Sequence, residues 1–220
     1  MNRVFIGYDP RQPIAFQVCA HSVWERASQP VSIHRLDLRT LPIKRRGLTE
    51  FSYSRYLVPY LSGFEGFSLF LDSDILVRGD VAELFDAVEG MGARSDAPSA
   101  WMSMGKLKFE WPSVILYNSA ACAHMTPEFV EDESHRLYDY AWARGGVGHL
   151  PPEWNHLVGY DPADADARLV HFTKGVPVWP ETKDCEFSAE WHDTLRRMNS
   201  TVSHDALMGG SVHVQKKVLA

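Results

Sequence analysis

Short apolar runs, each closed by a turn residue, alternate along this chain with stretches whose apolar residues recur at helical spacing. Arg3-Val4-Phe5-Ile6-Gly7-Tyr8 reads as a buried first strand, and Asp9-Pro10 opens a turn. Ile14 to Ala27 has the spacing of a helix, and Val31 to Leu36 alternates as a second strand. Asp37 to Leu48 is a loop carrying the basic cluster Lys44-Arg45-Arg46. Phe51 to Leu61 reads as a helix that crosses to a third strand, Phe67-Ser68-Leu69-Phe70-Leu71. That strand ends abruptly in Asp72-Ser73-Asp74, and Ile75-Leu76-Val77 follows at once. Asp80 caps a further helix, Val81 to Val88.

The segment 90–99 is rich in Gly, Ala, Ser and Pro and reads as a loop. Ala100 to Met104 and Ser113 to Tyr117 look like strands. Thr126-Pro127-Glu128 starts a helix, with Pro at its first position, that is expected to reach about Ala143 and to stop at Gly145-Gly146. Arg168 to Phe172 is a late strand and Ser188 to Met198 a last helix. Strands alternating with helices imply right-handed βαβ units and an α/β fold with a mostly parallel central sheet. Ligands of such sheets sit beyond the carboxyl ends of the strands, so Gly7-Tyr8-Asp9 and Asp72-Ser73-Asp74 are expected to line one crevice. Residues 1–200 are expected to form a single domain, with 201–220 an unassigned tail.

Composition narrows the function classes. At 45% hydrophobic and 23% charged, the chain is ordinary globular material. A formal net charge of −6 argues against broad nucleic-acid binding. Cys19, Cys122 and Cys185 are far apart and odd in number, which gives no disulfide framework and no CxxC zinc site. No signal-peptide pattern precedes the first strand, and no apolar stretch approaches the roughly 18 residues of a membrane span. The expectation is a cytoplasmic protein without a transmembrane segment, at most a peripheral visitor to a membrane.

Two carboxylates at i and i+2, between two strand-like runs, are costly to bury unpaired. A divalent cation held by oxygen ligands would answer that cost, and such cations often carry phosphates. The bland alternative is a pair of turn carboxylates that cap the next segment.

FLDSDILVRGDVAELF resembles the metal-binding segment of nucleotide-sugar glycosyltransferases with the GT-A fold, family 8 most closely. Four further pieces follow the same order. VFIGYDPRQPIAFQVCAHSV looks like the family's first strand and nucleotide-binding turn. TEFSYSRYLVPYL looks like the helix that holds an arginine near the donor. LPPEWNHLVG resembles the segment before its last core strand, and LVHFTKGVPVW the histidine motif that closes its metal site. The resemblance spans about residues 3 to 180. It implies a GT-A, Rossmann-like sheet flanked by helices, with Asp72, Asp74 and His171 as ligands of Mn²⁺ or Mg²⁺ at the carboxyl ends of the strands. It implies donor contacts from Gly7, Tyr8, Asp9, Arg55, Ser73 and Lys174. The implied activity is transfer of a sugar, with retention, from a nucleotide diphosphate donor, a UDP-sugar, to a glycan, lipid-linked or other hydroxyl acceptor. The chain also departs from the pattern. Pro177 stands where the family places a phosphate-gripping lysine, and Lys174 is the nearby lysine. Trp111-Pro112-Ser113 replaces its Asn-Ser-Gly, and Gly146-Val147-Gly148-His149 its Asp-Gln pair.

An imidazole added to two carboxylates shifts metal preference toward Mn²⁺. His171 also fits a satisfied core histidine, Arg55 a solvated helix residue, and Asn155 either a ligand contact or a turn amide. Lys44-Arg45-Arg46 fits a solvated loop face or a grip on an anionic acceptor. Trp101, Trp111, Trp154 and Trp179 are candidates to face a sugar ring, most of them expected in the core. No residue stands out as a catalytic nucleophile or base. Two other readings stay open: a haloacid dehalogenase-like phosphohydrolase, with Asp72 as nucleophile, and a non-catalytic nucleotide-sugar-binding module.

Overall fold

The computed structural model of the chain describes residues 1–89, 97–105 and 107–199. The predicted loop over 90–99 and the tail 201–220 lie largely or wholly outside them. The first half alternates as expected: β1 (Asn2–Gly7), α1 (Pro13–Arg26), β2 (Val31–Leu36), a short α2 (Val58–Leu61), β3 (Phe67–Leu71), β4 (Ile75–Val77) and α3 (Ala82–Glu89). There follow β5 (Ala100–Met102), β6 (Val114–Asn118), α4 (Pro127–Glu131), β7 (Val147–His149), β8 (His156–Leu157), β9 (Leu169–His171) and α5 (Ser188–Met198).

Six strands form the main sheet in the order β2-β1-β3-β6-β5-β7. Only β6 runs against both of its neighbours; the β1–β2, β1–β3 and β5–β7 pairs are parallel. A smaller sheet, β4-β9-β8, stands beside it. The central strands β1, β3 and β6 are apolar on both faces, which explains their unbroken runs. Val4, Ile6, Leu69, Leu71 and Leu116 meet α1 and α3 on one side. Phe5, Phe70, Ile115 and Tyr117 meet Tyr56, Leu57 and Trp142 on the other. α1 also packs its Ala15 and Val18 against Leu76, Val170 and the Trp191 of α5, and so clamps the small sheet to the large one.

Two predicted helices are much shorter in the structure. The one expected over 51–61 is a 3₁₀ turn, Ser54–Leu57, leading into α2. Pro59 has no N–H for the Arg55 carbonyl, which instead accepts hydrogen bonds from Val58 N and, at 3.1 Å, from the Tyr117 hydroxyl. The helix expected to run from 127 to about 143 stops at Glu131. Thr126 caps its start as predicted. Beyond it, the Asp132 carboxylate accepts from Ser134 N at 2.8 Å in a local turn. Arg45, from a loop far back in the chain, donates to the carbonyls of Val130 and Asp132 at 3.0 and 2.9 Å. Those carbonyls are thereby satisfied without a helix. The short strands β7 and β8 carried no readable signal, and β7 begins where the helix was expected to have just ended.

Candidate functional site

Strand register builds the site. β1 and β3 run parallel, with Ile6 opposite Leu71, so Gly7 and Asp72 leave the sheet side by side. β4 and β9 run antiparallel, with Ile75 opposite His171. Phe172 N donates to the Asp74 carbonyl at 3.0 Å, which fixes this register at the site itself. Because side chains alternate in a strand, a slip of one residue would turn His171 to the opposite face.

One ligand atom from each of Asp72, Asp74 and His171 lies within 4.8 Å of the others. Asp72 is buried, held by its own N–H donating to Ser113 O at 2.9 Å. Arg55 is buried beside it, with Nη2 at 3.0 Å from Asp72 Oδ1. The same guanidinium donates to Pro112 O at 2.8 Å through Nη1. Burial pushes the Asp72 carboxyl up to about 7, against the pull of Arg55. Burial opposes charge on Arg55 too, and Asp72 outweighs it, so the Arg55 pKa rises. Burial works against a charged imidazole at His171, yet Asp74, its Oδ1 3.4 Å from Nε2, raises that pKa, with Asp72 behind it.

These residues suit a hard divalent cation. Asp74 Oδ1 and His171 Nδ1 are buried without a hydrogen-bond partner among the described residues. Asp72 Oδ1 is near Arg55 but out of line for a hydrogen bond with it. Two carboxylate oxygens and an imidazole nitrogen converging in this way form the mixed donor set that Mn²⁺ accepts. The protons held by Asp72 and His171 would leave as the ion entered.

A cavity of about 110 Å³ opens over the triad, walled by Phe51, Ser52, Arg55, Phe109, Glu110, Tyr138 and Thr173 among others. Of the remaining sequence candidates, Gly7 backs this wall: a Cβ there would lie 2.5 Å from the Phe51 ring. Tyr8 packs edge-on to Phe16, with the Arg35 guanidinium 4.6 Å from its ring centre. Asp9 is clasped by Arg11, whose Nε donates to Oδ1 at 2.9 Å and holds the carboxyl below its usual range. Ser73 is buried between the two aspartates. Lys174 is not brought to the triad: its Nζ sits 4.9 Å over the Tyr160 ring, while its neighbour Thr173 lines the cavity. Arg45 of the basic cluster is occupied by backbone carbonyls and pins its own loop, while Arg46 pairs with Glu50 and lines, with Lys44, a separate cavity away from the triad.

Trp101 and Trp154 are core, Trp179 is half exposed, and Trp111 borders a second, larger cavity. Sequence reasoning missed Glu110, which lines both cavities. It sits in Phe-Glu-Trp-Pro, a 3₁₀ stretch with no chemical motif, and only the fold gives it a location.

The order of strands, the candidate metal triad at their carboxyl ends and the antiparallel β6 together define a GT-A fold. Solved structures bear this out. The galactosyltransferase LgtC, in complex with donor and acceptor sugar analogs, superposes with a TM-score of 0.62 at 13% identity, over 91% of this chain and 98% of that one. The glycosyltransferase GlyE of Streptococcus pneumoniae gives 0.64 at 15%, over 91% of this chain and 60% of GlyE. Mouse xyloside xylosyltransferase 1 gives 0.53 at 10%, over 78% and 97%. No protein-family model matches the chain. Protein CDI of Arabidopsis thaliana is 33% identical over 236 residues, which cover 93% of this chain and 90% of that protein; the chain belongs to the Protein CDI family. With the GT-A fold in place, the haloacid dehalogenase reading loses its basis, and the carboxylate it would use as nucleophile is turned against Arg55.

Proposed function

We propose that the chain is a metal-dependent glycosyltransferase that moves a sugar from a nucleotide diphosphate donor, a UDP-sugar, to a hydroxyl acceptor with retention of configuration. The observation that carries this reading is the Asp72–Asp74–His171 triad, with ligand atoms within 4.8 Å of one another under a cavity at the strand ends of a GT-A sheet. Asp72, Asp74 and His171 would hold Mn²⁺ or Mg²⁺, which when bound neutralises diphosphate charge as a Lewis acid. The chain's own residues do the rest. Arg55 opposes the burial that favours a protonated Asp72, aims its carboxyl, and adds positive charge to the wall the phosphates face. The Gly7–Asp9 turn leaves β1 beside Asp72, where a nucleoside would rest against Tyr8 and the end of β2. Lys174 turns toward the Tyr160 ring and does not line the cavity over the triad, which favours Arg55 as the cationic partner for the diphosphate.

Mixing the protein with Mn²⁺ and a panel of nucleotide sugars, while following nucleoside diphosphate release, tests the reading. Release should need the metal and fall to background in Asp74→Ala. Tight UDP binding without turnover across many acceptors would instead favour a non-catalytic binding module.

A further inference from the structure

One short turn, Leu137–Asp139, separates the metal cavity from a third cavity of about 420 Å³. Tyr138 lines the metal cavity, while Leu137 and Asp139 on either side of it line the third. The turn is braced from both sides. The Tyr138 hydroxyl donates to Ser52 O at 3.2 Å, and its ring stacks on Phe109 with centroids 6.1 Å apart. From the other side, Trp142 Nε1 donates to Leu137 O at 2.9 Å.

The third cavity brings hydrogen-bond donors to an apolar wall. Ser134, His135, Arg136 and Arg144 supply the donors, and Phe129, Leu137 and Trp142 the wall. His135 Nδ1 lies 2.9 Å from Phe129 O, a carbonyl that can only accept, so Nδ1 carries the proton and Nε2 is left for a ligand. Asp139 is also on the wall and meets Arg136 through Nε at 3.0 Å, which leaves the ends of that guanidinium fork to solvent or a ligand. Glu131 and Asp132, on the preceding segment, are held to backbone amides. Glu131 Oε2 accepts from Lys44 N and Arg45 N at 2.9 and 3.1 Å, and Asp132 Oδ1 from Ser134 N at 2.8 Å. Two guanidinium groups, a hydroxyl and an imidazole offer more donors than a carboxylate can use, and suit a phosphate.

The metal cavity itself holds only about 110 Å³, short of the roughly 300 Å³ at which small-molecule pockets begin. A nucleotide diphosphate must therefore widen it, and Tyr138 is part of the wall that has to give. We propose that the third cavity binds a small phosphate monoester with an apolar body, and that its occupation braces the Leu137–Asp139 turn against this widening and so inhibits donor binding. The inhibitory half rests on the transferase reading above; the phosphate site does not.

The experiment uses the full chain, first without metal, and three probes: phenyl phosphate, inorganic phosphate and benzoate. By titration calorimetry, phenyl phosphate should bind about tenfold more tightly than either of the others, since it alone joins a phosphate to a ring. Arg136→Ala and Arg144→Ala should each weaken it about tenfold. Asp139→Asn should strengthen it about threefold, a gain that misfolding cannot produce. No binding of phenyl phosphate, equal or tighter binding of benzoate, or affinities that all three substitutions leave unchanged would overturn the site. UDP is then titrated with Mn²⁺ present. Phenyl phosphate should weaken UDP binding at least about fivefold in the wild type and, at the same concentration, leave it unchanged in Arg144→Ala. Indifference of the wild type overturns the inhibitory half, as does equal weakening in Arg144→Ala, which would place the competition at the metal. Absence of any metal-dependent UDP binding would sink the transferase reading and the inhibition with it, while the phosphate site, measured without metal, would stand.

Discussion

At the scale of single residues, the site is a balance between buried charges. Arg55 and Asp72 are both buried, at 5% and 7% exposure, and each is tolerated because of the other. Arg55→Met keeps the volume and removes the charge, leaving a buried carboxylate beside Asp74. It should destabilise the chain by about 3–5 kcal/mol, read from urea unfolding, the usual cost of orphaning a buried ion-pair partner. Adding Asp72→Asn in that background should recover part of the loss; a double variant as unstable as the single one would show that packing, not charge, was at stake. Asp72 and Asp74 were legible in the sequence because an apolar strand cannot end in two carboxylates without some compensation. Arg55 was legible only through resemblance, since its own context also suits a solvated helix. Glu110 was not legible at all, because nothing in Phe-Glu-Trp-Pro distinguishes a carboxylate between two cavities from one on a loop.

At the scale of elements, strands were easier to read than helices, for a physical reason. β1, β3, β6 and β9 are buried on both faces, so their apolar runs mark them without help from neighbours. The stretch after α4 has helical composition but loses its helix to tertiary hydrogen bonds from Arg45. Arg45→Ala should therefore quicken amide exchange around residues 132–136, where the turn depends on that guanidinium, and leave the β1 amides unchanged. Uniform quickening across the chain would show that Arg45 supports the whole fold instead. Gly7 presents a second element-level case. A Cβ there would sit 2.5 Å from the buried Phe51 ring, which lines the metal cavity. Gly7→Ala should cost about 1–3 kcal/mol in thermal unfolding, as overpacking does, and shift the cavity wall with it. An unchanged melting temperature would mean that Phe51 moves aside freely.

At the scale of the whole molecule, the triad links metal, protons and stability. Asp72 and His171 both hold their protons more tightly in the folded chain than in an unfolded one. The metal-free folded state therefore binds excess protons near neutrality, so it should lose stability as pH rises through about 7. Mn²⁺ competes with those same protons, so its affinity should increase over the same interval. At about a hundredfold above its dissociation constant the ion should add roughly 2.7 kcal/mol, and Asp74→Ala should abolish most of that gain. Thermal melts at several pH values with and without Mn²⁺ check both statements; a metal shift that ignores pH would remove Asp72 and His171 from the ligand set. No described helix is long and apolar enough to cross a membrane. By itself the sequence determined the strand-rich α/β layout and the place where charge meets the sheet, because burial and the price of an unpaired carboxylate are local properties of a chain. Only the tertiary structure decided that His171 faces Asp74, that Lys174 turns toward Tyr160, and that Glu110 stands between two cavities. Those relations come from strand register and from contacts between distant segments, which no local pattern of apolar and polar residues encodes.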